Sequence, residues 1–198
     1  MGRDKASLPV GDETMLARTM RLVAEVVPRE QVVLVAAAEQ QLPPLPWGAK
    51  VIRDREANQG PLPALVDGLA ALPAKVSAAF VTACDAPLLK PELVERLFQS
   101  LSSEVEAVVP GDGERLHPLL AVYRPRMTVM LQAQLAAGTT SLHGALRSLG
   151  SRIVETPVEE LRAVDPELRS LMNCNTIEEY EVAIAVSSVQ SQRRLSSE

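Results

Sequence analysis

Aromatic side chains are scarce in this chain: one Trp, two Tyr and two Phe in 198 residues. Basic residues are not in surplus either, with 20 Lys and Arg against 25 Asp and Glu. Nucleic-acid surfaces need a basic stripe, commonly interleaved with stacking rings, so this balance excludes nucleic acid as the main partner. Long apolar runs are also missing. The longest, around Val32 to Ala38, is far shorter than the roughly 20 residues of a bilayer span. The start, Met1-Gly-Arg-Asp-Lys5, has no apolar signal core behind it. A cytoplasmic protein without a membrane partner is expected. Cysteine is limited to Cys84 and Cys174, and histidine to His117 and His143. Two cysteines without a secretion signal read as free buried thiols, and no cysteine- or histidine-based metal site is expected.

What is present is a 46% hydrophobic composition, enough to fill one globular core. One domain over residues 1–186 is expected, followed by a polar, disordered tail over 187–198. Apolar residues at helical spacing run from Thr14 to Val27, and Pro28 follows where a helix should end. Val32 to Ala38 then reads as a parallel strand covered on both faces. Lys50 to Asp54 is a short strand. Leu62, Leu65, Val66, Leu69 and Leu72 line one face of a helix opened by Gly60-Pro61. Ala78 to Cys84 is another buried-type strand, running through Asp85-Ala-Pro87 into a helix from Glu92 to Leu101. This alternation is the signature of an open parallel α/β sheet.

Beyond it, Ala107 to Pro110 and Leu119 to Tyr123 flank a polar turn and suggest a hairpin or meander. Helices are expected near Met127 to Ala137 and Ser141 to Leu149, and a strand at Arg152 to Glu155. A last helix runs from Thr176 to Val186, with Thr176 and Glu179 in capping-box spacing.

In such a sheet ligands bind at the carboxyl ends of the strands, where Asp85 and Asp54 both stand. A carboxylate there can hold Mg²⁺ beside substrate phosphates. Either aspartate can equally turn the chain or cap a helix. Lys5 can neutralise phosphate as a point cation or stand in solvent. Asn173 and Asn175 can bind a polar ligand or cap the helix that follows.

Together these segments resemble the molybdenum cofactor guanylyltransferase family along almost the whole chain. Met1-Gly-Arg-Asp-Lys5 followed by Leu8-Pro9 is similar to the second half of that family's signature Leu-Ala-Gly-Gly-x-Ser-x-Arg-Met-Gly-x-Asp-Lys. Gly60-Pro-Leu62, Cys84-Asp-Ala-Pro87, His117-Pro-Leu-Leu-Ala-Val-Tyr123 and Asn173-Cys-Asn-Thr176 resemble its later signatures. The last two narrow the resemblance to guanylyltransferases.

The resemblance implies a three-layer α/β/α, Rossmann-like nucleotidyltransferase fold with a mostly parallel sheet. It also implies transfer of GMP from GTP to molybdopterin with Mg²⁺ as the metal. By position, Lys5 matches a phosphate-contacting lysine, Asp54 a nucleotide-contacting aspartate and Asp85 the Mg²⁺ ligand, with Lys5 and Asp85 carrying catalysis. Asn173 and Asn175 match a segment on the pterin side. GTP and molybdopterin are the implied small-molecule partners, with molybdoenzyme apoproteins or their chaperones as receivers of the product.

The chain departs from the pattern in three respects. Ala36-Ala-Ala38 stands where the family has an Asn near the base, and Pro63-Ala64 where it often has Ala-Gly. The first strand and glycine-rich loop expected before Met1 are absent, so translation is expected to begin upstream. A cytidylyltransferase or other nucleotidyltransferase of the same fold, or a non-catalytic nucleotide-binding adaptor, are the alternatives.

Overall fold

The computed structural model describes residues 4–54 and 60–195, with side chains described to residue 188. Met1 to Arg3 of the opening motif therefore lie outside the described residues. After a 3₁₀ turn at Lys5–Ser7, a small antiparallel ribbon pairs β1 (Pro9–Val10) with β2 (Glu13–Thr14). Its turn needs Gly11, whose φ of 65° an L side chain adopts only with strain. This ribbon was not legible as a pattern, because two residues per strand show no periodicity.

Helix α1 (Met15–Val23) is capped by Thr14, whose hydroxyl accepts from the Ala17 amide. It ends before the expected Val27, and Ala24 to Val27 continue as tight turns. Strand β3 (Val33–Ala36) pairs in parallel with β4 (Lys50–Arg53). Helix α2 (Pro61–Ala70) begins as Gly60-Pro61 predicts: Gly60 sits at φ 76° and Pro61 takes the first turn, where its missing N–H costs nothing. Strand β5 (Ala79–Thr82) and helix α3 (Pro91–Gln99) follow. Strands β6 (Ala107–Gly111) and β7 (Leu120–Tyr123) form the expected antiparallel pair. After helices α4 (Thr128–Ala136) and α5 (Leu142–Ser148), strand β8 (Ile153–Pro157) adds in parallel to β6, and a single turn, α6 (Val158–Leu161), follows it.

Helix α7 runs over Ile177–Leu195. The helix thus continues past Val186, where the sequence led one to expect a disordered tail, as far as Leu195, and 196–198 lie outside the described residues. The reason is register: Ala183, Val186 and Ser187 continue the helix face that packs against Val10 and Met15, and Ser187 is buried.

The hydrogen-bonded order is β3-β4 in one sheet and β5-β7-β6-β8 in another. Within the larger sheet β5, β6 and β8 run one way and β7 alone is reversed. Helices α2, α4 and α5 cover one face around Tyr123, Val109 and Ala121. Helices α1 and α3 cover the other around Val108, Leu120 and Val122. The result is the three-layer α/β/α arrangement expected from the alternation, since residues of opposite parity on each strand feed opposite cores.

Candidate active site

The loop after β5 carries Asp85 to the carboxyl rim of the sheet. Its backbone is clamped from two directions. Helix α1 supplies Arg18, whose Nε donates to the Pro87 carbonyl at 2.8 Å, and Thr19, whose hydroxyl donates to the Cys84 carbonyl at 3.2 Å. The chain before α7 supplies the Cys174 amide, which donates to the Asp85 carbonyl at 3.0 Å. Buried backbone groups away from sheet pairing must find such partners, so the loop is fixed before any ligand arrives. Arg18 and Thr19 were missed in the sequence. The signal was there: both occupy the apolar register of α1 between Met15 and Leu22, where polar side chains need a buried task.

Lys5 is the centre of the cluster. Its Nζ donates to Asp85 Oδ2 at 2.8 Å and to Asn175 Oδ1 at 2.6 Å. Lys5 is therefore paired, with 30% of its side chain exposed, and Asp85 makes a side-chain contact with a residue 80 positions away. The Asn175 side chain is not the cap of α7. The cap is the expected box, with the Thr176 hydroxyl accepting from the Glu179 amide and Glu179 Oε2 accepting from the Thr176 and Asn175 amides. Asn173 contributes its backbone carbonyl, which accepts from the Asn175 amide.

On the other side, Asp4 caps the 3₁₀ turn by accepting from the Ala6 amide, and also accepts from Gln40 Nε2 at 3.2 Å. Gln40 follows β3 and was not singled out in the sequence, since a loop glutamine carries no motif. Arg53, at the end of β4, donates to the Ala37 and Gln40 carbonyls and holds that loop. Asp54 is half-buried and its amide donates to Ala36 at 2.8 Å. It stands on the same rim, one strand beyond β3. Because Gln40 and Asp85 both reach the Asp4-Lys5 turn, the carboxyl ends of β3 and β5 point the same way. Five strands thus share one direction, and the mostly parallel reading holds for strand orientation.

Burial pushes the Cys84 thiol up to about 11, with the neighbouring Asp85 and Asp4 carboxylates adding to the effect and Lys5 opposing it. It is a protonated, inert thiol at neutral pH. His117 is half-buried and its pKa is lowered, first by burial and then by Arg115. His143 Nε2 lies 3.1 Å from the Leu116 carbonyl. His117 joins the β6–β7 connection through its main chain, its amide donating to the Pro110 carbonyl and its carbonyl accepting from the Leu120 amide.

Among the described residues no group of three His, Cys, Asp or Glu side chains could form a metal cage. The arrangement does suit a hard cation that takes one carboxylate and draws its other ligands from phosphate and water. Asp85 Oδ1 has no partner among the described residues and lies at the rim beside the cation Lys5.

An α/β/α layering with a lysine and a carboxylate paired at the carboxyl rim is the layout of a nucleotidyltransferase. The family model for the MobA-like NTP transferase domain matches residues 1–164. A probable molybdenum cofactor guanylyltransferase of Mycobacterium avium (strain 104) is 36% identical over 180 residues, 89% of this chain and 84% of that protein. The molybdenum cofactor guanylyltransferase of Desulfosudis oleivorans is 32% identical over 184 residues, 93% of this chain and 87% of that one. Among solved structures, molybdopterin-guanine dinucleotide biosynthesis protein A from Archaeoglobus fulgidus superposes with a TM-score of 0.73 at 25% identity, covering 94% of this chain and 92% of its own. The chain belongs to the MobA-like NTP transferase family, and it is a nucleotidyltransferase.

Proposed function

We propose that the protein transfers GMP from GTP to the terminal phosphate of molybdopterin, releasing pyrophosphate. The observation that carries this reading is the Lys5-Asp85-Asn175 cluster, which joins the turn before β1, the loop after β5 and the segment before α7 at one point on the rim. A cation held between a carboxylate and an amide is ready to exchange the carboxylate for phosphate oxygens. In the reaction an acceptor phosphate oxygen forms a bond to the α-phosphorus of GTP as the bond between that phosphorus and the bridging oxygen to the β-phosphate breaks. The electron pair leaves with pyrophosphate. Catalysis of this kind rests on positioning and charge neutralisation, and no protein nucleophile is required.

Lys5 neutralises charge developing on the α-phosphate and the leaving group. Asp85 would hold Mg²⁺, which supplies further charge neutralisation at the phosphates. Asp54, on the β4 side, contacts the nucleotide, while Asn175 and the neighbouring Asn173 backbone face the acceptor. Further support comes from the relatives named as guanylyltransferases.

The test is calorimetric titration of the protein with Mg²⁺ and GTP, CTP or ATP in turn, followed by pyrophosphate release with molybdopterin added. GTP binding at least ten-fold tighter than CTP, with pyrophosphate release only when molybdopterin is present, is expected. Preference for CTP would move the assignment to a cytidylyltransferase. Binding without turnover would mark an adaptor.

A further inference from the structure

Asp165 is fully buried, at 0% exposure, and its side-chain partners lie outside the Lys5-Asp85-Asn175 cluster. Its Oδ2 accepts from the Ser170 amide at 2.8 Å. Its Oδ1 has no hydrogen-bond partner among the described residues and faces the Lys90 ammonium at 3.2 Å, a contact of charge rather than of aligned hydrogen bonding. A charge taken out of water is costly even when paired, and an apolar side chain of similar size often serves stability as well. Stability by itself therefore does not call for a carboxylate here.

Its two partners belong to segments that are tied together at both ends. One is the loop from Asp85 to Lys90, which leads from β5 into α3; the other runs from Asp165 to Asn175, between α6 and α7. At the far end the Lys90 amide donates to the Ser170 hydroxyl at 3.0 Å, while the Lys90 side chain meets Asp165. At the rim the Cys174 amide donates to the Asp85 carbonyl, and Asn175 holds Lys5. Between these ties Leu89 shares an apolar cluster with Leu168 and Leu171, and Leu88 another with Met172 and Cys174. The second segment is not relaxed in itself. Leu168 stands in the left-handed region at φ 50° and ψ 35°, where a residue other than glycine is strained. Asp165 closes that turn twice over: its carbonyl accepts from the Leu168 amide at 2.8 Å, and its carboxylate from the Ser170 amide. A strained turn persists only where its surroundings over-determine it.

We propose that Asp165 is a positioning residue for the transfer reaction: through the Leu168 turn, Ser170 and Lys90 it fixes where Asn175 stands relative to the Asp85 loop, and so where Lys5 is held between them. The inference rests on the reading of Lys5 and Asp85 as the groups that serve the phosphates. Being fully buried, Asp165 acts only through the two segments. Misplacing a reacting group by about 1 Å costs up to about 10²-fold in rate, so a fault in this brace shows in turnover before it shows in nucleotide affinity.

The experiment compares the unmodified protein with two variants. Asp165→Asn keeps an acceptor for the Ser170 amide and removes the charge facing Lys90; Ser170→Ala removes the tie to the Lys90 amide and leaves the ion pair. Pyrophosphate release with GTP and molybdopterin gives kcat and KM, with kcat referred to the folded fraction from urea unfolding. In both variants kcat per folded molecule should fall on the order of ten-fold, with KM for GTP held within about two-fold. Amide exchange at Cys174 and Asn175 should quicken by about ten-fold or more, while Val94 and Leu97 inside α3 keep their rates. Should Asp165→Asn not fold, Ser170→Ala carries both readouts. An unchanged kcat per folded molecule, with only the urea midpoint lowered, would make the pair a structural one and overturn the proposal. Unchanged exchange at Cys174 and Asn175 would also overturn it. If the unmodified protein releases no pyrophosphate, it is the reading of the reaction that fails, and exchange alone decides the brace: faster at Cys174 and Asn175 upholds it, unchanged overturns it.

Discussion

Lys5 and Asn175 lie 170 positions apart and meet at 2.6 Å, with Asp85 completing the bridge at 2.8 Å. The two carboxyl- and amide-bearing segments are independently tied by the Cys174 amide to the Asp85 carbonyl, so the lysine joins an already rigid cradle. Replacing Lys5 by Met keeps the length and removes the charge. Turnover should fall on the order of 10²-fold, whereas stability should change by about 1 kcal/mol or less, since partly exposed pairs contribute little. Pyrophosphate release and urea unfolding measure the two effects separately. Asn175→Ala, which loosens the lysine without removing it, should cost less in turnover than Lys5→Met. Equal losses would show that Asn175 touches substrate itself.

Asp85→Asn preserves shape and the contact to Lys5 while removing the charge that a divalent cation needs. Turnover at fixed Mg²⁺ should drop on the order of 10²-fold, and chelation of Mg²⁺ should silence the unmodified protein to the same level. Raising Mg²⁺ should rescue the variant partly, because the cation retains ligands from phosphate and water. A Mg²⁺ dependence identical in both proteins would remove Asp85 from the metal site.

Much of this was legible in the chain. Strands β3, β5, β6 and β7 are runs of apolar residues between turn formers, and α1 and α3 show one apolar face, so local pattern and tertiary burial agree. Asp85 was legible because it follows an apolar run of strand length, which places it at the carboxyl end of β5. The convergence of Lys5 with Asn175 was not legible from spacing, since pairs so distant in sequence meet only through the sheet order; the family resemblance named both without joining them. Gln40 and the β1–β2 ribbon were too short or too ordinary to leave a pattern. The length of α7 was not legible because Ser187 and its neighbours are polar in composition, while Ala183 is buried and Val186 partly buried along one face. Composition decides solvation on average, but register decides which side chains are covered.

Tyr123 is fully buried and its hydroxyl donates to the Pro118 carbonyl at 2.7 Å. Burial pushes its phenol far up, so it remains a donor across the working pH range. The bond pins the segment after His117, which enters β7. Tyr123→Phe leaves that carbonyl without its donor at a site with no other side-chain partner described, and should cost about 1–3 kcal/mol in chemical unfolding. A loss below a few tenths would mean that solvent reaches Pro118 and the hydroxyl is dispensable.

The two thiols provide a pH test with a definite sign. Burial is the main cause that pushes both Cys84 and Cys174 up to about 11 from an ordinary value of 9.0, with Asp85 adding to both. The folded chain therefore holds these protons where the unfolded chain has released them. Their contribution to stability is fully present below pH 9 and is lost as pH rises toward 11. The urea midpoint should decline over this window, and Cys84→Ser with Cys174→Ala should flatten the decline. The same protonation makes both thiols slow toward iodoacetamide at pH 7.5, with rates at least ten-fold below those of the chain unfolded in urea. Rapid labelling of Cys84 in the folded protein would show that the loop before Asp85 opens to solvent, which would contradict the clamp that Arg18 and Thr19 place on it.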